Sequence, residues 1–165
     1  GTNMIAVETG CSFMWETKFL PYLSSLNIIK NFNCALYSID NDASRLDLCS
    51  DKIEEHLGNN NKYIPLNGDS IEALNILKLT LKEDILKKLM VPRLFFLDSS
   101  EDEQHGLEEY KIALELLVRP GVICMDDYDC PNSVKWRASS ERLKKDADYF
   151  LTFNTPTGLI IGVYK

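Results

Sequence analysis

The chain has 165 residues, 45% hydrophobic and 26% charged, and carries a formal net charge of −7. That length suits one domain, 1–165, with a core of its own, and no apolar run approaches the ~20 residues of a membrane-spanning helix, so no membrane association is expected. The acidic balance opposes the phosphate neutralisation on which nucleic-acid affinity rests, so no DNA or RNA partner is expected. In chain order, 4–7 is an apolar strand closing at Glu8-Thr9-Gly10, and 15–30 reads as a helix with Pro21 as a kink or break. A second strand, 35–39, ends at Asp40; Asn41-Asp42 then caps a helix running to about His56, with Leu46, Cys49, Ile53 and Leu57 at helical spacing and Gly58 as its stop.

A third strand, 63–66, leads into Gly68-Asp69-Ser70 and a long helical pattern over 71–90, inside which Asp84 is a candidate second start. The fourth strand, 93–97, ends at Asp98; a polar loop, 99–106, precedes a helix over 107–118, stopped by Arg119-Pro120-Gly121. The fifth strand, 122–125, ends at Asp126-Asp127. A loop over 131–137 and a short helix over 139–145 follow, and strands 149–153 and 159–164 make a hairpin through Thr155-Pro156-Thr157-Gly158. Five strands alternating with helices are expected to run parallel through right-handed crossovers, with the last two as an antiparallel edge. The five cysteines, Cys11, Cys34, Cys49, Cys124 and Cys130, form no CxxC pair and no even framework, which points to reduced thiols in the cytoplasm and away from zinc.

Acidic residues stand at every parallel strand end: Glu8, Asp40, Asp98 and Asp126 directly, and Asp69 after a short turn. Ligands of open α/β sheets bind at that carboxyl edge, so the five read as a functional cluster. Gly10 lets a ligand approach the backbone, and the amides of Cys11 and Ser12 follow it. Asp40 suits ribose hydroxyls, and Asp69 suits an amino donor on a base.

The ordered set Val7-Glu8-Thr9-Gly10, Ser38-Ile39-Asp40, Gly68-Asp69-Ser70, Phe96-Leu97-Asp98 and Pro120-Gly121-Val122 with Asp126-Asp127 resembles class I S-adenosylmethionine-dependent methyltransferases, nearest to small-molecule O-methyltransferases of the catechol and sugar types. The resemblance implies an α/β, Rossmann-like three-layer sandwich: a mostly parallel seven-stranded sheet with a C-terminal antiparallel hairpin. It implies methyl transfer to a hydroxyl of a small-molecule acceptor. Glu8, Gly10, Cys11 and Ser12 would border the methionine part of S-adenosylmethionine, Asp40 and Asn41 the ribose, Asp69 and Ser70 the adenine, with Asp98 beside the donor. In metal-dependent members a divalent cation sits on positions matching Asp98, Asp126 and Asp127, which would suit Mg2+. His105 and Asp98 are the candidate catalytic residues.

Other readings stand beside these. His105 in a polar loop also fits an exposed spectator, Trp15 and Phe13 fit helix packing, Tyr110 fits a helix face, and Tyr128 and Trp136 fit either an acceptor pocket or packing. Family members carry two or three glycines after the first strand, whereas here Cys11-Ser12-Phe13-Met14-Trp15 follows Gly10 alone. Relatives place helices before the first strand that cover the site and often form the dimer, so a homodimer remains open. The alternative function is a catalytically weak or inactive methyltransferase-like domain that binds a ligand or a protein.

Overall fold

The computed structural model describes residues 3–10, 22–58, 62–99, 102–129, 134–155 and 157–165. Its strands are β1 (Asn3–Thr9), β2 (Ala35–Asp40), β3 (Tyr63–Asn67), β4 (Met90–Leu97), β5 (Gly121–Asp126), β6 (Tyr149–Phe153) and β7 (Leu159–Tyr164). Its helices are α1 (Tyr22–Phe32), α2 (Ala43–Leu57), α3 (Ser70–Leu86), α4 (Glu103–Leu116) and α5 (Arg137–Asp146). The strands form one sheet in the order β3-β2-β1-β4-β5-β7-β6. Strands β1 to β5 pair parallel, β7 runs antiparallel against β5, and β6 against β7. The topology is the expected Rossmann-like one, with strand order reversing between β1 and β4.

Alternation along each strand sorts side chains between two cores. Ile5 and Val7 of β1, Phe95 and Leu97 of β4, and Ile123 and Met125 of β5 face the helices α3, α4 and α5, among Leu74, Leu77, Tyr110 and Leu143. Their neighbours Ala6, Leu36, Leu94 and Cys124 face α1 and α2, among Leu26, Ile29, Leu46 and Ile53. Each fully buried aliphatic side chain contributes about 1.5–3 kcal/mol to this packing. Cys34, Cys49 and Cys124 are buried thiols outside any disulfide. Edge strand β6 is exposed at every position. Among the described residues no helix is long and apolar enough to cross a membrane.

Element boundaries move in ways that matter for the site. The first strand continues through Glu8 and Thr9. Expected helix 15–30 is described from Tyr22 and runs on to Phe32. Pattern 71–90 is one helix that starts at Ser70 and ends at Leu86, where Lys88 takes a positive φ of 55°. Helix α4 begins at Glu103, because the Asp102 carboxylate caps it by accepting from the His105 amide at 2.8 Å. His105 therefore lies in a helical turn and not in a loop. Helix α5 begins at Arg137, inside the segment read as loop.

Candidate functional site

Backbone hydrogen bonds stitch the strand ends into one ledge. The Gly10 amide donates to the Ile39 carbonyl at 2.8 Å, the Gly68 amide to Asp40 at 3.0 Å, and the Asp98 amide to Thr9 at 2.9 Å. The carboxyl ends of β3, β2, β1 and β4 thus meet in sheet order at the reversal between β1 and β4. Gly10 has φ +80°, and a Cβ there would come 1.9 Å from the Asp98 carbonyl oxygen. Glycine is required at this turn on both counts. At Gly68, φ +149°, a Cβ would meet none of the described residues within 4 Å.

On the β1–β2 side the carboxylates turn inward. Glu8 shares the parity of Ala6, so it points under α1 and is 2% exposed. Its Oε1 accepts from Ser25 Oγ of α1 at 2.5 Å and from Ser38 Oγ of β2 at 2.6 Å. Burial pushes its pKa up, against the two hydroxyl donors. Asp40 is also buried; its Oδ1 accepts from the Asp42 amide at 2.8 Å, and its Oδ2 lies 3.9 Å from Arg45 Nη1. Asn41, next in the chain, is exposed.

On the face of α3 and α4 a second group forms. Asp69 caps α3, its Oδ1 accepting from the amides of Ile71 and Glu72 at 3.0 and 3.1 Å. Ser70 Oγ pairs with His105 Nε2 at 2.7 Å. His105 Nδ1 lies 4.0 Å from Asp69 Oδ2, and Nε2 lies 3.6 Å from Glu109 Oε1. Glu109 is fully buried one turn further along α4, and neither of its carboxylate oxygens has a hydrogen-bond partner. The Glu109 carboxylate first of all, then Asp69 and Asp102, hold the His105 pKa above its ordinary value, against partial burial.

The β4–β5 side carries a lysine. Lys135 is 2% exposed, and its Nζ donates to Asp98 Oδ1 at 2.8 Å and to Asp127 Oδ2 at 3.3 Å. Burial pushes the Asp98 pKa up to about 7, opposed by Lys135 and reinforced by Asp126 and Asp127. Asp126 is raised too, mainly by burial, while its Oδ1 accepts from the Asp127 amide at 3.0 Å. Asp127 has a positive φ of 57°. Among the described residues no group of three or more His, Cys, Asp or Glu side chains is arranged to hold a metal ion. Trp136, a candidate pocket wall, is 1% exposed and packs against Gly106 of α4. Tyr110 is fully buried, its hydroxyl 3.0 Å from that of Tyr164. A groove of about 470 Å3 between α4 and α5 contains none of the strand-end acids.

The carboxyl edge brings together Gly10, Asp40, Asn41, Asp69, Ser70, Asp98, Asp126 and Asp127; Glu8 is turned away from it beneath α1, and Cys11, Ser12, Phe13 and Trp15 lie outside the described residues. The sequence reading missed Ser25, Lys135 and Glu109. Glu109 carried a signal, since it stands four residues after His105 on a helix. Lys135 carried none, in a segment without periodicity.

No model of a protein family matches the chain, and no curated protein matches it by sequence. Solved structures do match by shape. An O-methyltransferase from Bacillus cereus, in complex with SAH, superposes with a TM-score of 0.69 at 16% identity, over 98% of this chain and 74% of that one. The O-methyltransferase TomG from Streptomyces achromogenes, in complex with SAM, gives 0.66 at 16% identity, over 98% and 73%. Precorrin 8W decarboxylase from Methanobacterium thermoautotrophicum gives 0.59 at 15% identity, over 98% and 82%. The chain has the class I methyltransferase fold; the decarboxylase among its neighbours illustrates why fold alone does not name a reaction.

Proposed function

We propose that the chain is a cytoplasmic S-adenosylmethionine-dependent methyltransferase acting on a hydroxyl of a small-molecule acceptor. The observation that carries this reading is the convergence of Gly10, Asp40, Gly68-Asp69 and Asp98 on one ledge where strand order reverses. In this reading Asp40 and Asn41 hold the ribose, Asp69 and Ser70 flank the adenine, and Gly10 borders the methionine end. When bound, the cofactor supplies an electrophilic methyl group on a sulfonium.

His105 takes the proton of the acceptor hydroxyl. Its Nε2 is engaged by Ser70 and Glu109, so Nδ1 is the receiving nitrogen, with Asp69 4.0 Å away to stabilise the imidazolium. Asp98, against Gly10, orients the acceptor beside the donor. No step runs through a metal ion, because the Lys135 ammonium already engages Asp98 and Asp127.

Calorimetry with S-adenosylhomocysteine tests the cofactor reading. Saturable binding is expected, weakened about tenfold or more in Asp40→Ala as charge-assisted hydrogen bonds are lost. No binding by the wild-type protein overturns it. With a panel of hydroxylated acceptors, His105→Gln is expected to lower turnover about 100-fold, far more than it lowers calorimetric affinity through its contact with Ser70. A second reading, a ligand- or protein-binding domain of this fold without turnover, is favoured by one observation: Glu8 and Asp40 are already engaged inside the chain, by Ser25, Ser38, Asp42 and Arg45. Cofactor binding without turnover on any acceptor would favour it.

A further inference from the structure

We propose that the ammonium of Lys135 is the built-in cation of the β4–β5 acidic cluster, standing where the family resemblance implies a divalent metal, so that the cluster takes up no metal ion. This deepens the methyl-transfer reading, on which only its catalytic consequence rests: the positive charge on the acceptor side comes from the chain and survives chelation.

Three features build the lysine into place. Gly106 of α4 lets the turn before α5 come close, since a Cβ there would meet the Lys135 carbonyl oxygen at 2.6 Å. The Glu103 carboxylate of α4 accepts from the Ala138 amide at 3.1 Å, tying down the first turn of α5. Trp136, wedged beside Gly106, has its ring 5.8 Å from Lys135 Nζ. The stem and head of Lys135 are consequently buried, and among the described residues its charge is matched at contact distance by carboxylates just past the ends of β4 and β5. A hard divalent cation on Asp98 and Asp127 would have to expel a buried ammonium or share its ligands with it. A lysine left buried without counter-charges is costly, and moving it out exposes its apolar stem and breaks its ion pairs, so metal entry is opposed either way.

The test uses Mn2+ alone, with bound and free ion measured by electron paramagnetic resonance. Wild-type protein is expected to show no saturable binding. Lys135→Met is expected to bind Mn2+ at least about tenfold more tightly than wild type, a gain lost again in Lys135→Met/Asp98→Asn. Saturable Mn2+ binding by the wild type that disappears in Asp98→Asn overturns the proposal, and that comparison holds even if Lys135→Met fails to fold. A folded Lys135→Met that gains no affinity overturns it as well. S-adenosylhomocysteine binding, measured on the same preparations, reports separately on the methyl-donor reading.

Discussion

The two halves of the carboxyl ledge handle buried carboxylates differently. On the β1–β2 half, Glu8 is held by two neutral hydroxyls, Ser25 and Ser38. On the β4–β5 half, Asp98 is held by a full positive charge from Lys135. The residue types at the strand ends are alike, so the difference comes from what packs over them. Glu8 is still inside a strand, and strand parity aims it beneath α1, where the serines are. Asp98 lies just past the end of β4, and there the turn leading into α5 brings a lysine down beside it. One half is a neutral hydrogen-bond cage and the other an ion-pair cluster, so they should respond to different perturbations.

Lys135→Met attacks the difference most directly. It leaves Asp98 buried beside Asp126 and Asp127 with no counter-charge, and is expected to cost about 3–4 kcal/mol in urea unfolding. Restoring more than about 1 kcal/mol in Lys135→Met/Asp98→Asn would show that the pair couples; simple additivity would dissolve the contrast between the halves. Gly10→Ala strikes the seam where they touch. The positive φ and the collision with the Asp98 carbonyl together are expected to cost about 3 kcal/mol. A cost below about 1 kcal/mol would mean the two strand ends can part freely.

Glu8 probes the hydroxyl cage. Glu8→Ala removes a buried acceptor shared by Ser25 and Ser38 and is expected to cost about 2 kcal/mol. Glu8→Gln keeps an acceptor oxygen and has a signed pH dependence. The folded-state pKa of Glu8 is raised, so its contribution to stability is fully present below the ordinary value of 4.5 and is lost as pH rises through the folded value. Stability of Glu8→Gln relative to wild type should therefore increase from pH 4 upward. A difference that stays flat with pH would mean that burial does not raise this carboxyl.

This contrast was only half legible in the sequence. Strand–helix alternation was enough for a mostly parallel sheet with an antiparallel hairpin and for the acids at its edge, because period-2 and period-3.6 patterns record which face is buried; the strand order was not readable from it. The hairpin was readable from Thr155 to Gly158 for the same reason. The fate of each acid was not, since it depends on contacts between distant elements. Ser25 meets Glu8 only once α1 lies across β1, and Lys135 meets Asp98 only because Gly106 and Glu103 draw the start of α5 onto α4. His105 was misplaced in a loop because Asp102 caps α4 five residues before its apolar periodicity begins at Leu107.

The smallest expected effect lies at His105, which sits outside both halves and shows whether a third device operates. Its imidazole faces Glu109, a buried carboxylate without hydrogen-bond partners, and its pKa is raised as a result. For a base raised in the folded state, the pair's stabilisation is complete below the ordinary histidine value of 6.5 and fades as pH climbs through the folded value. Partial solvent access screens the interaction, so its size is about 0.5 kcal/mol. His105→Gln should be less stable than wild type by about that amount at pH 5.5, and the gap should close as pH rises through the folded value and the wild-type imidazole becomes neutral too. A gap that persists at high pH would assign His105 to packing and to its contact with Ser70. A gap confined to low pH would identify a charge pair able to retain a proton taken from an acceptor.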